Sequence, residues 1–176
     1  MPVRAAILAA VLVAAFVSTP AHASYADDRA EIENLMARYL FALDFRDASA
    51  YAATFTEDGV LDFASGVITG RKALGEFVNT LGDNASQAVR EASALMARSR
   101  HNVTNIAIDV NGDHAKARAY WTSVRIGDDG KGVEVISYGH YEDELVRQNG
   151  KWLFAKRKVF NELLENRRAA ATNPVN

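Results

Sequence analysis

The sequence predicts a single α+β domain in which helices gather on one face of a curved antiparallel sheet. In the first half of the chain, apolar residues recur at steps of three and four, the spacing of one helical face. In the second half, strand-like runs alternate with turn sequences. Helices that precede strands, rather than alternating with them, indicate an α+β fold. The 176 residues, 49% hydrophobic and 24% charged, suit one ordinary globular domain.

Four helices are predicted, the first from Asp27 onward. The apolar stripe of that first helix consists of Ile32, Leu35, Met36, Tyr39, Leu40 and Leu43. A short helix follows at 47–55, and the turn sequence TEDG separates it from a strand at 60–63. The remaining helices are predicted at 70–81 and 85–99.

Four strands joined by three hairpin turns are predicted from His101 onward. The turns contain NGDH, GDDGKG and RQNG, whose glycine, asparagine and aspartate residues favour tight reversals. Consecutive hairpins give an antiparallel meander. The chain ends in small and polar residues, and we expect a flexible tail at 166–176.

The first 23 residues have the layout of a secretory signal peptide. A charge at Arg4 precedes an apolar run at 5–17, and Ala21-His22-Ala23 fits an A-x-A cleavage site. The run is too short to span a bilayer, and a retained anchor or buried helix is the alternative interpretation. Cleavage would move the formal charge from −2 to about −3. We therefore expect a periplasmic or secreted protein without a membrane segment once the signal is removed.

Composition and motifs exclude several classes of site. The chain has no cysteine, so neither disulfides nor an acylated-cysteine anchor are expected. Its slight negative charge offers no footprint for nucleic acid. The sequence has no H-x-x-x-H, no glycine-rich loop after a strand and no G-x-S-x-G. We expect neither a metal ion nor another cofactor.

Asp44 is an unusual carboxylate, because it lies at the margin of the first helix's apolar stripe. Burial of a carboxylate without a partner is costly, or forces the group to hold a proton. Asp44 therefore either is solvated at the helix end or has a dedicated partner.

His101 is the candidate partner among four histidines. The others are predicted in the signal, in a solvated turn and on a polar, exposed strand face: His22, His114 and His140, respectively. Strand alternation places His101 on one face with Val103, Asn105 and Ala107. A neighbouring carboxylate would make His101 a general base by fixing its tautomer and raising its basicity. A structural histidine bonded to a backbone carbonyl is the alternative.

Arg157 lies in the last predicted strand among small apolar neighbours. Alternation assigns Leu153, Ala155, Arg157 and Val159 to one face, and Trp152, Phe154, Lys156 and Lys158 to the other. The guanidinium could supply a fixed positive charge to an oxyanion or leaving group in a pocket. An ion pair with an acidic residue of the helices is the alternative.

The order of these features resembles the SnoaL-like domain of the nuclear-transport-factor-2-like superfamily. The matching pieces are Y-x-x-x-x-D in the first helix, FTEDG, GRKAL, R-H-x-x-x-N at the start of a strand, and NGKWLF before KRKV. The similarity runs from about Asp27 to about Glu162, and we assign residues 24–165 to the domain. It implies a cone-shaped α+β barrel, with helices on a strongly curved antiparallel sheet around an apolar pocket. It also implies a homodimer or homotrimer.

The resemblance also implies a site. Scytalone dehydratase, bile-acid 7α-dehydratase and hexachlorocyclohexane dehydrochlorinase use an aspartate and a histidine as a dyad, and Asp44 and His101 match these positions. Arg157 matches the pocket arginine of the dehydrochlorinase, and Tyr39 matches the tyrosine of the bile-acid enzyme. Further expected pocket residues are Phe63, Val103, Asn105, Trp121 and Tyr141. The substrate is not carried over, since Tyr39 replaces a lysine of the dehydrochlorinase and Phe63 a tyrosine of scytalone dehydratase.

Together these features predict a cofactor-independent lyase of the dehydratase type, acting on a small apolar hydroxylated or carbonyl compound. In this hypothesis His101 removes a carbon-bound proton and Asp44 stabilises the imidazolium that forms. Arg157 and Tyr39 steady the leaving group or developing oxyanion. The alternatives are a non-catalytic ligand-binding or scaffold domain, and an isomerase or cyclase that uses the same base.

Overall fold

The computed structural model describes residues 24–81, 99–127 and 130–175. In chain order the elements are α1 (Tyr25–Asp44), α2 (Ala48–Ala53), β1 (Phe55–Phe63), β2 (Gly66–Thr69), α3 (Arg71–Thr80), β3 (Arg100–Asn111), β4 (His114–Ile126), β5 (Val133–Gln148), β6 (Lys151–Val159) and a 3-10 helix (Glu165–Arg167). The α+β fold class is therefore confirmed. The predicted signal peptide and nearly all of the helix predicted at 85–99 lie outside the described residues.

Helix α1 has a defined cap at each end. At its start, Ser24 accepts a hydrogen bond from the backbone N–H of Asp27, and the Asp27 carboxylate accepts one from the backbone N–H of Ser24. This reciprocal capping box satisfies two N–H groups that the helix leaves unpaired. The predicted stripe is buried, except that Leu43 is only partly so. The helix ends at Asp44, because the backbone reverses at Arg46 with a φ of 59°.

The six strands in the described part of the chain form one mixed, open sheet in the order β2-β1-β6-β5-β4-β3. The predicted antiparallel meander is confirmed as β3 to β6. The sheet is not wholly antiparallel, however, since β1 pairs with β6 in parallel and with β2 in antiparallel fashion. β2 and β3 remain edges, so the predicted barrel does not close.

β1 begins at Phe55, earlier than predicted, and contains the TEDG sequence that suggested a turn. A register shift between Phe55 and Val60 places those residues in a bulge. Gly59 lies at a close approach there: an added Cβ would lie 2.7 Å from the Phe55 Cβ and 3.1 Å from the Phe154 carbonyl oxygen. The residues that suggested a turn thus bend a strand instead.

A second bulge changes which side chains of β6 face the helices. Leu145 pairs with Phe154 and Glu144 with Lys156, so Ala155 is the additional residue. Alternation is interrupted at that point, and Trp152, Phe154 and Arg157 are all fully buried. The prediction that Trp152 and Phe154 lie on the face opposite Arg157 is therefore wrong.

His140 was predicted to be exposed, but the structure buries it to 6% exposure. The chain beyond β6 continues alongside β5, where the Phe160 N–H donates to the His140 carbonyl oxygen at 2.9 Å. The Phe160 ring stacks on the imidazole with centroids 4.3 Å apart. The prediction considered strand alternation alone and omitted this overlying segment.

The core lies between the helices and one face of the sheet, with α1 packed on β3 and β6 and α3 on β1. Among its fully buried members are Ile32, Tyr51, Phe55, Leu74, Trp152 and Phe154. No helix in the described ranges is long and apolar enough to cross a membrane. The flexibility expected for 166–176 stays a prediction; Arg167 within it pairs with Asp62 at 2.6 Å.

Asp28 ties the start of α1 to the hairpin of β5 and β6. Its buried carboxylate accepts hydrogen bonds from Trp152 Nε1 at 3.0 Å and from Arg147 Nη2 at 3.1 Å. We expect Asp28→Ala to lower the free energy of unfolding by about 2–3 kcal/mol, because both donors lose a buried partner. Urea unfolding followed by circular dichroism measures this. Glu33→Ala, which breaks an exposed pair with Arg29, is the control; an equal loss in both variants would contradict the assignment.

Candidate active site

A cavity of about 260 Å³ lies between the end of α1, α2, α3 and the sheet face that the helices cover. Its aromatic lining consists of Tyr39, Tyr51, Phe63, Phe77, Trp121 and Tyr141. The aliphatic members are Leu43, Leu61, Leu81 and Val159, and the polar members are Asp44, Arg46, Ser65, Ser99 and His101. A mainly apolar enclosure with few polar groups is typical of a small-molecule site.

Asp44 and His101 meet on the cavity wall. The His101 Nδ1 and Asp44 Oδ1 atoms are 2.6 Å apart, and the backbone N–H of His101 donates to Asp44 Oδ2 at 3.0 Å. The side chains are 14% and 5% exposed for His101 and Asp44. Asp44 lies at the C-terminal end of α1, where the helix dipole disfavours a negative charge. The two N–H groups of His101 offset that disadvantage.

This contact fixes the orientation of the imidazole. When the ring is neutral, the Nδ1 proton points to the carboxylate, so the lone pair resides on Nε2. Nε2 has no hydrogen-bond partner among the described residues. The arrangement leaves a proton acceptor available on the cavity wall, held by a carboxylate that can stabilise an imidazolium.

Tyrosine hydroxyls supply hydrogen-bond donors to the same cavity. The Tyr51 hydroxyl donates to the Tyr39 oxygen at 3.2 Å, which leaves the Tyr39 proton free to donate elsewhere. Burial raises the pKa of Tyr39, although the positive charge of Arg157 opposes that shift. Burial likewise raises the pKa of Tyr141 well above its ordinary value. Both phenols therefore remain neutral donors at physiological pH.

Arg157 does not line the cavity. Its side chain is fully buried and donates from Nε and Nη2 to the two Asp143 oxygens, at 2.8 and 2.6 Å. Its Cζ lies 4.2 Å from the Tyr39 ring centroid and 4.0 Å from that of Tyr141. Although burial opposes the charged form, Asp143 raises the pKa of Arg157 above its ordinary value. The expected ion pair exists, but with the neighbouring strand rather than with a helix.

The remaining predicted residues divide into two groups. Phe63, Trp121 and Tyr141 line the cavity, as do Tyr39, Asp44 and His101. Val103 packs against the core instead, and Asn105 is exposed. Asn105 is exposed because β3 has a bulge between Thr104 and Ala107. The bulge interrupts the alternation of side chains at Asn105, whose φ is 52°. The assignment of Asn105 to the pocket is therefore corrected.

Sequence reasoning missed Arg46. It lines the cavity, whereas the arginine predicted there, Arg157, lies behind the tyrosines. The sequence contains one local signal for Arg46. Only three residues separate Leu43, the last residue of the first helix's apolar stripe, from Asp47, the cap of the next helix, so the first helix must end next to Arg46. In the described ranges, no group of three or more His, Cys, Asp or Glu residues could hold a metal ion.

Comparison with known families gives one match that spans most of the chain. The family model described as the SnoaL-like domain matches residues 24–158. These residues include every element from α1 to nearly the end of β6 and all members of the cavity lining but Val159. No curated protein matches the chain significantly.

Solved structures with the same architecture come from several bacteria. Rv3472, a protein of unknown function from Mycobacterium tuberculosis, is 30% identical, with a TM-score of 0.65 and 83% of each chain covered. An NTF2-like protein with a cystatin-like fold from Novosphingobium aromaticivorans is 28% identical, with a TM-score of 0.62 over 77% of this chain and 81% of that one. A proposed scytalone dehydratase from the same bacterium is similar in fold, at 24% identity and a TM-score of 0.60 over 84% of this chain and 93% of that one.

Proposed function

The chain belongs to the SnoaL-like domain family, and from this premise we propose that it is a cofactor-independent lyase of the dehydratase type. The substrate is a small apolar compound that carries a hydroxyl and a carbonyl group. The family includes dehydratases, isomerases and cyclases, so membership alone does not select the reaction. The observation that supports the proposal is the 2.6 Å contact between His101 Nδ1 and Asp44 Oδ1 on the wall of an apolar cavity.

The elimination starts with removal of a carbon-bound proton by His101 Nε2. The electrons of the broken C–H bond pass toward the neighbouring carbonyl oxygen, and Asp44 stabilises the resulting imidazolium. The C–O bond then breaks to give a carbon–carbon double bond. The departing hydroxide takes the proton from the imidazolium and leaves as water, so the base is restored.

Tyr39 is the proposed donor to the oxyanion or leaving group. We expect Tyr39→Phe to lower kcat by about 10²-fold, since one neutral donor to developing charge is lost. Tyr51→Phe is the matched control, because the Tyr51 hydroxyl already donates its proton to the Tyr39 oxygen. Steady-state kinetics on an identified substrate compares the two. A smaller effect in Tyr39→Phe than in Tyr51→Phe would contradict this role.

Arg157 has an indirect part in this proposal. Its charge lies behind the Tyr39 and Tyr141 rings, so it can orient these phenols without touching a substrate. The cation–π contacts with this buried guanidinium hold the two tyrosine rings in fixed positions. Arg157 is thus a positioning residue, in place of the direct contact expected from the sequence.

Incubation of the protein with cyclic hydroxy-ketones and with chlorinated and steroid-like compounds in D₂O, followed by NMR, tests the reaction. The proposal expects loss of water and an unsaturated product from a hydroxy-ketone. An isomerised or cyclised product with deuterium incorporation would assign the same base to a different reaction. Binding with neither elimination, isomerisation nor deuterium exchange in any compound would favour a ligand-binding domain.

A non-catalytic domain is the second candidate, and one observation favours it. The backbone N–H of His101 also donates to Asp44, so the carboxylate joins α1 to β3 irrespective of any chemistry. In that case Asp44→Asn would weaken folding and leave ligand affinity unchanged. Under the lyase proposal the same variant loses turnover while it keeps its fold.

We also propose a cellular location and an oligomeric state for the protein. The signal-like sequence at 1–23 supports a periplasmic or secreted protein. The family resemblance supports a homodimer or homotrimer with no partner beyond a small apolar molecule. Light scattering on the mature chain measures the assembly.

A further inference from the structure

Arg46 contributes a cation to the cavity that no described residue binds through a hydrogen bond or ion pair. The side chain is half-buried and lines the cavity, yet its guanidinium makes no hydrogen bond or ion pair with any residue in the described ranges. Near neutral pH the phenols of the described lining are uncharged. The lining residues that can carry charge are Asp44, Arg46 and His101. A half-buried guanidinium with five N–H donors and no acceptor is a ready partner for an anionic oxygen.

The backbone at Arg46 gives a second, independent indication. The Asp47 N–H donates to the Ala42 carbonyl oxygen at 2.9 Å, and the Arg46 N–H donates to that of Leu43 at 3.3 Å. This is a Schellman helix end, in which the residue with positive φ is usually glycine. Arg46 occupies that position with a φ of 59°, which is unfavourable for an arginine. An unfavourable backbone conformation that places an arginine on the cavity wall points to a function there.

Asp44 is not the natural partner of this cation. Its two oxygens already accept the ring and backbone N–H groups of His101. Burial lowers the pKa of Arg46, and the Asp44 charge opposes that shift. The guanidinium nevertheless stays charged at neutral pH, because its ordinary pKa is so high. Together Asp44 and Arg46 leave the cavity with no net formal charge while His101 is neutral.

We propose that Arg46 determines specificity by binding a carboxylate of the substrate. This inference rests on the proposed lyase function and narrows its substrate class. The substrate is then an apolar hydroxylated carbonyl compound that also carries a separate carboxylate. The planar guanidinium holds the carboxylate through paired hydrogen bonds, and the aromatic lining packs the apolar body. Fixing one end of the substrate in this way directs the acidic carbon to His101.

Binding of 2-naphthoate and 2-naphthamide, measured by titration calorimetry and by NMR shifts of the Trp121 side chain, tests this proposal without turnover. We expect wild type to bind the carboxylate at least tenfold more tightly than the neutral amide. Arg46→Gly should abolish that preference, weakening carboxylate binding at least tenfold and leaving amide binding within twofold. Because glycine suits the positive φ, the unfolding midpoint of Arg46→Gly should be unchanged or higher.

Two further variants separate this inference from the lyase proposal. Arg38→Gln removes an exposed arginine of α1 outside the cavity and should keep the carboxylate preference. His101→Gln should also keep it, even where turnover is lost. No preference in wild type, no saturable binding of the carboxylate at millimolar concentration, or a preference that persists in Arg46→Gly would each overturn the assignment. Loss of the preference in Arg38→Gln would also overturn it, because the effect would then be general electrostatics.

Discussion

Replacing His101 by glutamine is expected to lower kcat by about 10²–10⁴-fold, the usual contribution of a positioned general base. Glutamine keeps the size and a hydrogen bond to Asp44 but offers no basic nitrogen to the cavity. The binding of a carboxylate ligand should persist, because the cavity walls are unchanged. The measurement is the steady-state rate of elimination.

Two variants control for this result. Asp44→Asn should cause a loss of similar order, since the amide cannot stabilise the imidazolium, whereas the backbone N–H of His101 still finds an acceptor oxygen. His114→Gln, at the first residue of β4 and away from the cavity, should retain full activity. Undiminished turnover in His101→Gln would refute the proposed mechanism.

The largest effect on stability is expected at the buried pair of Arg157 and Asp143. Asp143→Leu should lower the free energy of unfolding by about 3–5 kcal/mol, because it leaves a fully buried guanidinium without its carboxylate. Arg157→Met should cost a similar amount by isolating the carboxylate. Urea unfolding curves of both variants at neutral pH give these values.

The double variant Arg157→Met with Asp143→Leu isolates the cause. It should recover most of the lost stability, because two apolar side chains of similar volume replace two charges that no longer need each other. Losses that simply add in the double variant would show that packing, and not pairing, dominates the site. With stability recovered, any remaining fall in kcat would report the positioning of Tyr39 and Tyr141.

Local periodicity was sufficient to predict the part of the fold that depends on it. The stripe of α1, the helix near 70–81 and the three hairpins of the meander were all predicted from spacing and turn residues. Asp44 was found because a carboxylate conflicts with an apolar stripe. Asp44 and His101 are 57 positions apart in the sequence, so local patterns could not predict their contact. Only the family resemblance predicted it.

Bulges account for most of what the sequence did not reveal. The extra residue Ala155 places Trp152 and Phe154 on the same buried face of β6 as Arg157. The bulge near Asn105 turns the Asn105 side chain away from the pocket. A bulge depends on cross-strand register, which strict alternation cannot supply. The parallel pairing of β1 with β6 is likewise a long-range feature without a local signature.

The two arginines illustrate the same limit. Arg157 was assigned to the pocket, but its partner Asp143 lies directly opposite on β5, a pairing that follows from register. Arg46 was overlooked because its position in the cavity depends on how α1 ends relative to the sheet. A charged residue directly after a predicted helix, where glycine is usual, is the signal that could have identified it.

The tautomer of His101, read from two-dimensional ¹H–¹⁵N NMR spectra of the imidazole at a pH where the ring is neutral, tests the central claim most directly. The account predicts that wild type carries its proton on Nδ1, toward Asp44, with a bare Nε2 facing the cavity. In Asp44→Asn this single tautomer should give way to a mixture. A proton on Nε2 in wild type, or the same spectrum in both proteins, would contradict the proposed base.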